Sequence, residues 1–250
     1  MKKEIKNIRI EVQYDGRRYR GWQRQASTES TIQSKIEQVL MKMNGSPIEV
    51  NGAGRTDAGV HARAQVANFH LTTNMDTEAI RMYLNQYLPQ DIRITKACEA
   101  GKRFHSRLNA RAKTYVYTLT KAGCVDVFSR EYSWQLERGV SVNQMRQAAL
   151  LLIGTHDFSA FCTKAGKKKS TIRTLDRIDM EEDEVHIRMK YHGNGFLYNM
   201  VRILTGTLVE AGMGKCKPEQ VIQALESGER RLAGETAPAH GLMLWEVEYD

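Results

Sequence analysis

An α+β fold of two β-α-β-β-α-β halves, carrying a mixed, mainly antiparallel sheet, is the architecture this sequence predicts. Three observations predict it. Period-two and period-3.6 apolar patterns follow one another in that order, and the order recurs from about residue 112. The 250 residues are enough for two such halves with real cores. The halves share this pattern without visible sequence identity, so the repeat is one of architecture. Such an order is ferredoxin-like: both helices of a half cover one face of its sheet, and two merged sheets leave a central cleft. The division is read near FHSRLNARA, giving halves 1–108 and 109–250.

Each element has a local cause. NIRIEVQYDG alternates with Ile8, Ile10 and Val12 on one side and stops at an Asp-Gly turn. STIQSKIEQVLMKMNG sets Ile32, Ile36, Val39, Leu40 and Met43 on one helical face, between a Ser30 cap and Gly45. A short strand is expected over 48–50, followed by a glycine-rich loop and by AQVANFHL, with Ala67, Phe69 and Leu71 on one side. DTEAIRMYLNQYL reads as a helix ended by Pro89, and DIRITKACEA as the closing strand. In the second half KTYVYTL is a strand and SVNQMRQAALLLIG a helix. IRTLDRIDM and EVHIRMKYH are strands around an acidic turn, GFLYNMVRILTGTLVEAG is a long helix, and LMLWEVEY is the last strand. CVDVFSREYSWQL, the basic loop CTKAGKKKST and a small helix PEQVIQALES interrupt this half.

Composition narrows the function. Lys and Arg number 37 against 29 Asp and Glu, and the resulting charge of +8 favours a polyanionic partner, most commonly nucleic acid. Hydrophobic residues at 41% and charged residues at 26% argue against a wholly disordered chain. No run approaches the ~20 apolar residues of a membrane span, and the first residues lack the apolar stretch of a secretory leader. No membrane and a cytoplasmic address are therefore expected. Cys98, Cys124, Cys162 and Cys216 are scattered, without CxxC or HExxH spacing, so neither a metal site nor a disulfide framework is expected.

GAGRTDAGVHA, residues 52–62, surrounds the single carboxylate of Asp57 with small residues. It is no dinucleotide fingerprint, because Asp57 stands where the third glycine belongs and a strand follows. It is no Walker loop either, since it ends Gly-Val-His. Two readings remain: a carboxylate available as nucleophile or base, with Arg55 nearby, or an Asx-type turn closed by Asp57. Arg202 also has two readings within an apolar helix. Its guanidinium either snorkels to water or is held inside for a carboxylate. Basic and aromatic residues interleave in YDGRRYRGWQRQ and KRFHSRLNARAKTYVY, and Lys167, Lys168 and Lys169 form a basic run; cations suit phosphates, and rings suit unstacked bases.

In chain order, YDGRRYRGWQRQ, GAGRTDAGVHARAQVANF, FHSRLNARAKTYVY, GNGFLYNMVRILTGTLVEAG and TAPAHGLMLWEVEY resemble the successive motifs of the bacterial tRNA pseudouridine synthase A family over essentially the whole chain. That resemblance implies two ferredoxin-like halves with a central basic cleft, no cofactor and no metal, a homodimer, and tRNA as partner. It implies isomerisation of uridine to pseudouridine in the anticodon stem-loop. Asp57 matches the essential aspartate of the family, and Tyr115 the tyrosine that stacks on the target base. Arg202 matches the arginine paired with the aspartate, and Arg55 the residue that holds the nucleotide out of its stack. Phe104, His105, Arg107 and Lys167 to Lys169 fall where the family touches tRNA. On this reading the loop glycines clear room for an extruded uridine against Asp57. Two other classes stay in view: a nucleoside or glycoside hydrolase, which ordinarily needs a second carboxylate, and an RNA-binding module without catalysis.

Overall fold

The computed structural model describes residues 4–163 and 170–250, and the chain divides into two compact units: residues up to 111 together with 244–250, and residues 112–243. The first unit contains β1 (Glu4–Tyr14), α1 (Ile32–Asn44), β2 (Asn51–Gly52), β3 (His61–Thr73), α2 (Thr77–Tyr87), β4 (Ile92–Ala100) and most of β10 (Leu242–Glu248). Its strands lie in the order β4-β1-β3-β10, with β2 also paired to β3. Both neighbours of β1 run antiparallel to it, with Ile10 opposite Ala67 on β3 and Ala97 on β4. β4-β1-β3-β2 is the ferredoxin-like arrangement expected from the pattern.

Alternation decides the faces of β1. Ile8, Ile10 and Val12 are fully buried, as are Ile32, Ile36 and Leu40 on α1 and Ile80 and Leu84 on α2. Helix α1 begins one residue later than its Ser30 cap suggested. Thr31 is the cap instead, its hydroxyl accepting from the Ser34 N–H, while Gly45 closes the helix in the left-handed region at φ 77°. Asp76 caps α2 through the Ala79 N–H. The strand expected over 48–50 forms three residues further on. Ile48 and Val50 are buried without pairing, whereas Asn51 and Gly52 pair with Asn68 and Ala67.

On the opposite face of β1, a buried amide pair fastens the segment after β4. Asn68 Nδ2 donates to Asn7 Oδ1 at 3.0 Å, Asn7 Nδ2 donates to the carbonyls of Gly101 and Phe104 at 2.9 Å, and the Ser106 N–H donates to Asn68 Oδ1 at 2.9 Å. These bonds satisfy amides that would otherwise be desolvated without partners.

The second unit contains β5 (Ala112–Thr120), β6 (Trp134–Gln135), α3 (Val142–Leu150), β7 (Gly154–Asp157), β8 (Ile172–Glu182), β9 (His186–Gly193), α4 (Met200–Gly212) and α5 (Pro218–Ser227). Its strand order is β5-β9-β8-β7, antiparallel throughout, while β6 adds a short parallel pair on β5 and makes the strand set mixed. β6 and β7 are additions that the sequence pattern did not reveal; β7 has only four residues and no buried stripe. Helix α4 starts at Met200 rather than further upstream, because Asn199 adopts φ 61° and turns the chain into it. Most of α4 is buried, and Gly206 is obligatory there: a Cβ would stand 2.0 Å from the carbonyl oxygen of Glu235. No helix among the described residues is long and apolar enough to cross a membrane.

Replacing Asn68 by Ala removes two of these bonds and strands the buried Ser106 N–H. The variant is expected to lose ~1–3 kcal/mol of stability, read as a lower urea midpoint at unchanged slope. An unaltered midpoint would show that the amide pair does not hold this segment.

Candidate active site

The loop that carries Asp57 is shaped by its neighbours on both limbs. On its entry side the Ala53 N–H donates to the Val66 carbonyl at 2.7 Å, and Gln65 Nε2 donates to the Gly54 carbonyl at 2.9 Å, tying it to β3. Around the carboxylate itself, the Trp22 N–H donates to the Thr56 carbonyl at 3.1 Å and the Gly59 N–H donates to the Tyr19 carbonyl at 3.3 Å. Backbone on both sides of Asp57 is thus bonded to one short segment, 19–22. A turn does close here, with the Val60 N–H donating to the Asp57 carbonyl at 3.2 Å and Gly59 at φ 80°. The main-chain oxygen of Asp57 accepts this bond, and its side chain is half-buried on a backbone braced from both sides.

The glycines of YDGRRYRGW explain how two chain segments approach so closely. A Cβ on Gly16 would stand 2.0 Å from the Val60 carbonyl oxygen, and one on Gly21, at φ 92°, 2.6 Å from that of Thr56. The Trp22 indole fills the space over Gly52, where a Cβ would meet Nε1 at 2.3 Å. Two of the loop glycines have tasks within the fold itself: Gly52 makes room for Trp22, and Gly59 supplies the left-handed turn. Beneath the loop the Tyr14 hydroxyl and Thr56 Oγ1 share a buried 2.8 Å hydrogen bond. Burial pushes the Tyr14 phenol well above its ordinary range, so it stays neutral. The buried His61 completes the support, its Nδ1 accepting from the Gly16 N–H at 3.2 Å. Tyr14, Gly16, Gly21 and Trp22 are positions that motif spacing around Asp57 could not supply, their signal being the glycine spacing of the preceding motif, whereas His61 lies within the loop motif itself.

Arg55 is exposed, and its Nε donates to Gln23 Oε1 at 3.1 Å. Phe104, His105 and Arg107 lie in the turn segment that the amide pair fastens. Phe104 and His105 are half-buried and Arg107 is exposed. The Arg107 N–H donates to His105 Nδ1 at 3.1 Å. All of these residues and Asp57 belong to the first unit.

Tyr115 and Arg202 belong to the second unit. Tyr115 is largely buried on β5, with the edge-on ring of Phe196 5.0 Å away between centroids. Arg202 sits in the first turn of α4, half-buried, and does not simply extend to water. Its Nε donates to the Ala237 carbonyl at 2.7 Å and its Nη1 to Asn199 Oδ1 at 3.0 Å, while its own carbonyl accepts from the Ala237 N–H. The segment 234–237 lies along α4, with the Gly234 N–H donating to Thr207 Oγ1 at 2.8 Å. TAPAHG therefore acts as the brace of Arg202. Lys167, Lys168 and Lys169 lie outside the described residues. Among the described residues no group of three or more His, Cys, Asp or Glu side chains could hold a metal ion.

A methyl group forced between residue 52 and the Trp22 indole overpacks this contact. Gly52→Ala is expected to cost ~1–3 kcal/mol in denaturant unfolding, and a variant as stable as the parent would remove Trp22 from the role given to it.

Comparison with known proteins bears on these motifs directly. A family model described as tRNA pseudouridine synthase matches residues 10–109 and 148–250, which include Asp57 and Arg202. The chain is 45% identical over 245 residues to tRNA pseudouridine synthase A of Bacillus sp. (strain KSM-64), covering 98% of this chain and 100% of that protein. It is 41% identical over 246 residues to tRNA pseudouridine synthase A 2 of Clostridium tetani (strain Massachusetts / E88), covering 98% and 99%. A likeness at this identity along nearly the full length of both partners spans the braced Asp57 loop and the Arg202 helix alike, and the chain belongs to the tRNA pseudouridine synthase family.

Proposed function

We infer that this protein isomerises uridine to pseudouridine in tRNA, at the anticodon stem-loop, with Asp57 as its catalytic carboxylate. The near full-length match to relatives named tRNA pseudouridine synthase A carries the reading. Support for Asp57 comes from its setting: one carboxylate on a backbone braced from both sides, in a loop of small residues through which a nucleotide can approach.

The chemistry requires little beyond such a group. The bond from N1 to C1′ breaks, the uracil turns, and C5 bonds to C1′. The C5 proton then leaves and N1 gains one, so the product is an isomer of the substrate. An ionised aspartate serves as nucleophile or base in this sequence. Extruding the uridine costs a few kcal/mol, which Tyr115 offsets by contact with the base and Arg55 by holding the nucleotide out of its stack. Arg202 is the substrate-side cation, its guanidinium preset by Ala237 and Asn199. Phe104, His105, Arg107 and the run Lys167 to Lys169 are assigned to the tRNA backbone and bases outside the reacting uridine. The family resemblance extends the reading to a cytoplasmic homodimer.

Transfer RNA tritiated at uridine C5 tests this. Wild-type protein is expected to release tritium to water without free uracil, and Asp57→Ala to fall below ~10⁻³ of that rate, the scale of removing a covalent or general-base catalyst. Free uracil would indicate a hydrolase, and undiminished release from the variant would remove Asp57 from the reaction.

A further inference from the structure

The first unit holds a cavity of about 410 Å³ that shares no lining residue with the Asp57 loop. It opens over the face of β1 opposite Ile8 and Ile10, where Arg9 lies beside Cys98 of β4 in the strand register. The Arg9 guanidinium carbon stands 4.4 Å from the ring centre of Tyr249 and 5.5 Å from that of Phe104, and the two rings are tilted 55° to each other. Two aromatic faces thus hold this guanidinium in place and leave its planar N–H edge for another partner. Tyr249 is itself anchored, its hydroxyl donating to the Ser106 carbonyl at 2.7 Å, and Phe104 is fastened through its carbonyl by Asn7.

The charges around the cavity are unevenly spent. Of the two acidic lining residues, Glu99 pairs with Lys6 at 3.7 Å and Asp250 pairs with Arg111. Arg9 and Arg103, also in the lining, have no carboxylate partner among the described residues. A concave site of this size, two uncompensated guanidinium groups and two half-exposed aromatic rings match one chemistry: a phosphate with a planar base attached.

We propose that this cavity is a nucleotide-binding site that takes one nucleoside monophosphate group, its phosphate on Arg9 and Arg103 and its base against Phe104 and Tyr249. The group is supplied either by a tRNA nucleotide outside the reacting uridine, which rests on the tRNA reading above, or by a free nucleotide.

Cys98 reports occupancy, because its exposed thiol lines the cavity. Alkylation by iodoacetamide is followed peptide by peptide, with Cys124 of the second unit as control. Either uridine 5′-monophosphate or tRNA is expected to slow modification of Cys98 at least threefold without slowing Cys124. Protection by the mononucleotide identifies free nucleotide as a sufficient ligand, and protection by tRNA alone identifies RNA as the source. Arg103→Gln, at an exposed position, and Arg9→Gln should each abolish the protection. The proposal fails if neither ligand protects Cys98, if Cys124 is slowed equally, or if both variants retain protection. Pseudouridine is scored in the same tRNA incubations. Pseudouridine with Cys98 unprotected overturns the cavity alone, whereas Cys98 protection without pseudouridine overturns the isomerase reading and keeps the cavity.

Discussion

The close approach of segment 14–22 to the loop 52–62 is the constraint on which the rest of the site depends. Two main-chain hydrogen bonds, Trp22 to Thr56 and Gly59 to Tyr19, fix the backbone on either side of Asp57. They form only because Gly16 and Gly21 present no side chain to the loop carbonyls. Loops are ordinarily the least stable parts of a fold, and a carboxylate on an unbraced loop would sample many positions. Bonded on both flanks, the backbone that carries Asp57 is held in place, which is the preorganisation its proposed catalytic role requires.

The second unit solves the same problem with different parts. Arg202 would be free to reach water from the first turn of α4, and the apolar helix around it left that reading open. Laying 234–237 along the helix changes the outcome, because the Ala237 carbonyl takes Nε and Asn199 takes Nη1. Gly206 and Gly234 are the cost of that packing, each pressed against backbone of the other segment. The sequence places the two glycines 28 residues apart, which hides the contact from any motif search.

Much of the fold was legible because it rests on periodicity. Ile8, Ile10 and Val12, the stripe of α1 and the presence of α2 all read directly from spacing, since burial on one face is what selects them. Elements too short to bury a stripe were not legible: β6 has two residues and β7 four, and β2 slid from 48–50 to Asn51–Gly52, with Ile48 and Val50 buried without a ladder. In the site, Asp57 stood out as the lone carboxylate among small residues. The purpose of Gly52 did not, because a glycine records only that something comes close, and here that something is the Trp22 indole from a motif thirty residues earlier.

On the proposed function, segment 14–22 sets the reactivity of Asp57. Single-turnover pseudouridine formation by Gly21→Ala, compared with its tRNA affinity, tests it most directly. A methyl group 2.6 Å from the Thr56 carbonyl must displace the loop, and displacement near 1 Å costs ~10²-fold in rate. A rate loss of that order is expected in a folded variant whose tRNA affinity is unchanged. A folded Gly21→Ala protein that reacts at the wild-type rate would contradict it.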